Sequence, residues 1–375
     1  MLGYYAYMQA TMGPFMPFLS AELRLNYTEA GLHFSAFALG MTLAGISTDR
    51  LAQRFGRRII FWLGAAGLGL FAVLLTLGQT AYITIGATFL LAYTGSWLLI
   101  MIQATLAEKH GANRTIALTE SNIVASVGAT LAPALIGFAA YQGFGWRGAL
   151  YAGMLFCIGM FIVFRQAAFP TKAADATTQA LASGKLPSRF WIYWVIAILT
   201  GSIEWSVVFW CADFLEKVVG LTKADASTAV SAYFLANVIG RTVGSRLARS
   251  MSTETLLLSA VIVSMIGFPI FWLAPSAALS VLGLFIAGLG ISNLFPFVLA
   301  AATRSAPDQA NTASARISMA MGISSLVTPQ ILALVADQIG IQRAYTIVAI
   351  LLIIVLGVVF MTNRMTQQKP AEVSV

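Results

Sequence analysis

Glu204 stands near the middle of an apolar run over residues 190–216, beside Thr200 and Gly201. A carboxyl at that depth can take up and release a proton, and so couple proton movement to the binding of a second solute. Asp213 lies nine residues further on, roughly half a turn away around a helix, so the two carboxyls do not share one wall. Asp213 sits nearer the end of the run and reads as solvated or capping. Arg316 is an arginine inside another apolar run, eight residues past Asp308. Its planar fork suits a carboxylate or phosphate clamp, and it also suits a gating ion pair. Glu120 lies about 9 Å along the helix from Arg114. It is flanked by an apolar stripe of Ile116, Ile123, Val124, Val127 and Leu131 and is expected to face protein. The amides Gln103, Asn237 and Asn293 and the indole of Trp205 fall at membrane depth. Together they can hold a small polar or amphipathic solute, an aromatic face stacking on it.

Other chemistry finds no support. The two histidines, His33 and His110, stand apart, and Cys157 and Cys211 both sit in apolar runs. No nucleophile–base pair, metal-ligand cluster, disulfide framework or Gly-rich phosphate loop is present in the sequence, so no enzyme, metal or cofactor is expected.

The elements that must position these groups are membrane helices. Of the 375 residues, 59% are hydrophobic and 10% charged, against about 25% charged in a soluble domain. The mean hydropathy is +0.83. A spanning helix needs roughly 20 mostly apolar residues. Twelve such stretches are expected, at about 1–21, 29–49, 58–78, 81–106, 115–141, 146–166, 190–216, 224–248, 254–274, 277–303, 309–336 and 341–362. The first lacks a basic leader and a small-residue cleavage site, and reads as a retained helix. With both termini placed in the cytoplasm, sixteen of the 22 Lys and Arg fall on the inner side and five on the outer, with Arg316 inside a span. The net charge of +8 is therefore a topology signal and not a nucleic-acid footprint. The partners expected are the bilayer, a small solute and protons, with the chain acting as a monomer in a cell membrane.

The chain also repeats itself. At an offset of 196 residues, Ser35-Ala36-Phe37 falls on Ser231-Ala232-Tyr233, Arg50-Leu51-Ala52 on Arg246-Leu247-Ala248, Pro133 on Pro329 and Arg147 on Arg343. Glu120 falls on Arg316, an exchange of charge. The expected organisation is a six-helix half over 1–166, a cytoplasmic linker over 167–189 and a second half over 190–375. Parallel repeats of this kind imply a pseudo-twofold axis along the membrane normal, with a site near the midplane.

Between spans 2 and 3 stands Gly45-Ile-Ser-Thr-Asp49-Arg50-Leu-Ala-Gln-Arg54-Phe-Gly56-Arg57-Arg58, with an echo at Gly240-Arg241-Thr-Val-Gly-Ser-Arg246-Leu-Ala-Arg249. This loop resembles the signature of the major facilitator superfamily, although its Asp-to-Gly spacing is about one helical turn longer. The resemblance covers the whole chain. It implies an all-α integral membrane fold of twelve helices in two pseudo-symmetric halves, and secondary transport of a small organic solute by alternating access. Read with Glu204, the carrier is expected to be proton-coupled, in the manner of a symporter. The alternative is an efflux carrier for drugs or lipophilic compounds. The family's drug antiporters often carry an Arg in helix 4, which span 81–106 lacks. Family helix neighbours further imply two cytoplasmic gate pairs, Glu120–Arg241 and Asp49–Arg316, and Glu108 could join them through Arg114.

Overall fold

The computed structural model describes residues 1–167, 169 and 186–367. Most of the expected linker, with Lys172 and Lys185, lies outside the described residues, as does Lys369. The described chain is helical: α1 (Leu2–Ala10), α2 (Met12–Leu23), α3 (Tyr27–Phe55), α4 (Arg57–Leu77), α5 (Ala81–His110), α6 (Arg114–Tyr141), α7 (Arg147–Phe164), α8 (Ser188–Lys217), α9 (Lys223–Leu247), α10 (Thr253–Leu273), α11 (Ala277–Ser305), α12 (Ala310–Ile339), α13 (Ile341–Ala344) and α14 (Thr346–Gln367). Among the described residues, ten helical stretches are long and apolar enough to cross a membrane.

Two of the twelve expected spans differ for local reasons. The first is split at Thr11 into α1 and α2. Pro14 lies four residues past Ala10, where its ring meets the carbonyl that would continue the helix. Span 8 is a single helix, α9, but Arg241 together with Ser227, Thr228, Ser231, Asn237 and Thr242 makes it too polar to pass on composition. A helix that turns one face to protein or water does not need to be apolar all round.

The repeat is written into the element boundaries. Shifting α4 (57–77) by 196 gives 253–273, the bounds of α10. Short 3₁₀ turns at Gly111–Asn113 and Pro307–Gln309 obey the same shift, and each leads into a helix carrying an internal proline, Pro133 in α6 and Pro329 in α12.

The chain forms two compact units. The first comprises Met1–Ala180, Val208–Leu235 and Ser325–Ala344; the second comprises Leu181–Val207, Ala236–Ser324 and Tyr345–Val375. In the first, α5 packs on α3 and α4, and α1 on α6. In the second, α10 packs along α11 and on α14. A Cβ on Gly267 would come 2.1 Å from the Ala287 nitrogen, and one on Gly283 would come 2.1 Å from that of Phe271. Glycine on both sides thus lets two backbones touch, the usual device where lipid supplies no hydrophobic drive between helices. The stripe Ile116, Ile123, Val124, Val127 and Leu131 on α6 is exposed, as a lipid-facing surface is.

Candidate functional site

The second unit gathers most of the expected solute-contacting residues. Glu204 is half-buried on α8, one turn past Gly201. At Gly201 a Cβ would meet Met321 Sδ at 2.8 Å and Ser324 Oγ at 2.9 Å, so α12 lies hard against α8 there. Ser324 Oγ also donates to the Ile198 carbonyl at 2.8 Å. The Arg241 guanidinium of α9 acts electrostatically on the Glu204 carboxyl. Arg241 Nε donates to the Ser292 carbonyl of α11 at 3.4 Å. The next residue, Asn293, is buried, and its Nδ2 donates to the Leu289 carbonyl at 3.1 Å and to Ser292 Oγ at 3.3 Å. Gly244 makes room for that amide: a Cβ there would stand 2.3 Å from Asn293 Oδ1. Asn237 lies four residues before Arg241, on the same face of α9. Its Oδ1 is buried with no hydrogen-bond partner among the described residues.

A carboxyl, a guanidinium and two amides thus line one unit. Such a set can exchange a proton and offer both donors and acceptors to a solute. Trp205 is half-buried beside Glu204, and Arg316 is exposed on α12, eight residues before Ser324. Gln103 falls in the first unit, exposed on α5.

The signature loop belongs to the first unit. Gly45, Asp49 and Arg50 are exposed on the last turns of α3. Gly56 joins α3 to α4 at φ 88°, a left-handed conformation that favours glycine. Arg57 pairs with Glu108 of α5, and Arg58 donates to the Arg165 carbonyl at the end of α7. The expected Glu108–Arg114 contact is therefore replaced by Arg57–Glu108, because α4 runs beside α5 whereas Arg114 begins the following helix. The second unit has a pair of opposite polarity between the corresponding helices: Arg304 of α11, which is Glu108 shifted by 196, meets Glu254 of α10 at 2.5 Å, and Glu254 is the counterpart of Arg58, with Thr253 at the place of Arg57.

Glu120 is exposed rather than turned into protein; it stands close to the 3₁₀ turn that starts α6. Arg246 is exposed near the end of α9. Glu120 and Asp49 belong to the first unit, Arg241 and Arg316 to the second.

A network that the sequence reading missed lies at the opposite end of the first unit. Asp337 of α12 accepts from the backbone nitrogens of Tyr27 and Thr28, both at 2.8 Å, and from Thr28 Oγ1 at 2.5 Å. It thereby caps α3, which Asn26 and Glu29 already close with a capping box. Trp210 Nε1 donates to the Pro329 carbonyl at 3.1 Å, and Ser227 Oγ to that of Pro14 at 2.7 Å. Phe34 stacks on Phe209 with centroids 4.3 Å apart. Asp213 is buried here and pairs with Lys217 at 3.0 Å, so it is neither solvated nor a cap. Lys217 in turn sits 4.3 Å over the Tyr27 ring. The Asn26-x-x-Glu29 box and the Asp213–Lys217 spacing were signals of this region; its partner Asp337, 310 residues away in sequence, had none. His33 is buried, its ring nitrogens engaged by the Glu29 carbonyl and Thr84 Oγ1.

The model of the major facilitator superfamily matches residues 2–314 and 194–374. The chain belongs to that superfamily.

Its members are transporters and not enzymes, and the chain is a multi-pass membrane protein of that fold. An uncharacterised MFS-type transporter of Yersinia pestis is 26% identical over 352 residues, covering 92% of this chain and 90% of the relative. The multidrug resistance protein MdtL of Escherichia coli O157:H7 is 24% identical, covering 90% and 89%. Among solved structures, the nucleoside transporter NupG matches at a TM-score of 0.78 and 12% identity over 98% of both chains; that likeness shows the fold.

Proposed function

We propose that the protein is a proton-coupled secondary transporter of a small organic solute in a cell membrane, a monomer with both termini in the cytoplasm. What supports this reading is a carboxyl, Glu204, half-buried midway along α8 against α12, in a unit that also holds Arg241, the buried Asn293 amide and the buried Oδ1 of Asn237. An ionised Glu204 attracts the Arg241 guanidinium. A proton on Glu204 removes that attraction and leaves the guanidinium for the solute or for a gate. Asn237 Oδ1 is a ready acceptor for a solute donor, because an unpaired buried acceptor gains most from a partner. Arg316 serves as an anion clamp or pairs with Asp49.

The gate pairs Glu120–Arg241 and Asp49–Arg316 would close the cytoplasmic end when the carrier faces outward. The network of Asp337, Trp210 and Ser227 would then be the contact set that breaks at the outer end. Reversing both charges of Glu120–Arg241 should rescue transport lost in either single reversal.

Efflux of lipophilic compounds is the second reading. It is favoured by the likeness to a multidrug resistance protein along nearly the whole chain. Both readings meet one test. The purified protein is screened by thermal shift against a solute library at about pH 5.5 and about pH 7.5, since a ligand stabilises the state it binds. Hits whose pH dependence disappears in Glu204→Gln support proton coupling, and anionic hits lost in Arg316→Ala make that residue a clamp. Hits confined to neutral or cationic lipophiles favour efflux. Hits indifferent to both substitutions remove Glu204 and Arg316 from the site.

A further inference from the structure

A groove of about 600 Å³ runs along the surface of the first unit between α4 and α7. Leu63, Leu70, Ile158 and Phe161 form its exposed apolar walls, and Ala65, Ala66 and Gly69 keep its floor shallow. One end carries a guanidinium, Arg58, which spends one of its five donors on the Arg165 carbonyl. That end is also the start of α4. The residue before it is Gly56, which offers no side-chain cap to the first-turn N–H groups, so the positive end of the helix dipole adds to the arginine. One turn further in, on the same face, Trp62 lines the groove, and its indole nitrogen is buried without a hydrogen-bond partner among the described residues.

An apolar trough in a lipid-facing wall, ending in a cation, an uncapped helix start and a spare N–H donor, matches one ligand chemistry. We propose that the groove holds one anionic phospholipid, its phosphate at Arg58 and the start of α4, its ester oxygen on Trp62 Nε1 and an acyl chain along α4 and α7. A zwitterionic lipid would lay the same chain but place an ammonium beside the guanidinium, which weakens it. Arg58 thus has a task distinct from that of Arg57, which is taken up by Glu108.

The test is native mass spectrometry of the full chain in non-ionic detergent, titrated with phosphatidylglycerol or with phosphatidylcholine of the same acyl chains. The wild type should retain one phosphatidylglycerol with a preference of about fivefold, the worth of one basic contact to an anionic headgroup. Arg58→Gln should abolish the preference while leaving residual binding of both lipids. Ala66→Phe, which fills the trough at an exposed position, should remove both lipids. Quenching of tryptophan fluorescence by phosphatidylglycerol with brominated chains should fall in Trp62→Phe. Equal retention of the two lipids by the wild type would overturn the proposal, as would a preference that survives Arg58→Gln. Displacement of the lipid by glycerol phosphate at equal concentration would also overturn it, since the headgroup alone would then suffice.

Discussion

Removing the Asp337 carboxylate should loosen the end of the first unit where α12 meets α3. That carboxylate accepts two backbone N–H bonds at 2.8 Å and a hydroxyl bond at 2.5 Å, all at the N-terminus of one helix. Capping bonds are worth about 1 kcal/mol, and a charge at a helix start adds about 0.3–1 kcal/mol. The site is solvent-exposed, which discounts the Coulombic part, so Asp337→Ala should cost about 2 kcal/mol in favour of the open arrangement. At 1.4 kcal/mol per decade this is about a thirtyfold change in the open population. Asp337→Asn keeps an acceptor but loses the charge and should give less than tenfold. Ser227 supplies the reporter, being buried with its hydroxyl on the Pro14 carbonyl. In a background carrying Cys157→Ala and Cys211→Ala, a cysteine introduced by Ser227→Cys is labelled by a membrane-impermeant maleimide. Its rate should rise about thirtyfold in Asp337→Ala, with a melting temperature lowered by a few degrees because the cap also stabilises the folded chain. A rate within twofold of the parent would refute the view that this cap helps hold the end closed.

Three further outcomes follow from the same contacts. Arg57→Ala should cost about 1–2 kcal/mol of stability, because it strands the half-buried Glu108; the double exchange Arg57→Glu with Glu108→Arg should recover most of it on chemical denaturation, since it restores an opposite-charge pair at the same contact. Gly283→Val should destabilise by about 3 kcal/mol or fail to fold, since its Cβ would lie 2.1 Å from a backbone nitrogen, while Gly357→Ala, with nothing near its Cβ, should melt as the wild type. Asn237→Leu should raise the melting temperature, relieving an unpaired buried oxygen worth about 1–3 kcal/mol, and should abolish the thermal shift given by a solute.

What the sequence could disclose depended on the range of the interaction. Helix bounds followed from local apolar runs, and the 196-residue offset read from Arg and Pro matches reappears in the bounds of α4 and α10. The break at Thr11 follows from Pro14, yet the apolar run over 1–21 reads as one helix because a proline can sit inside a packed membrane helix. Partners across the fold were harder. Glu108 was matched to its sequence neighbour Arg114, yet helix packing brings it to Arg57. Asp213 was read from its place near the end of a run, but it is buried, and its partner Lys217 packs on Tyr27, far away in sequence. Glu204 was visible as a charge in a greasy helix, whereas the association with Arg241 needed α8 and α9 in place.

The central claim is that Glu204 carries the coupling proton. The direct measurement is the pH dependence of solute affinity, from about pH 5.5 to about pH 8, in wild type, Glu204→Gln and Arg241→Gln, with the solute found by the thermal-shift screen. The account predicts an affinity that changes with pH in the wild type, is flat in Glu204→Gln and keeps a shifted pH profile in Arg241→Gln. An affinity in Glu204→Gln that follows pH as the wild type does would contradict it.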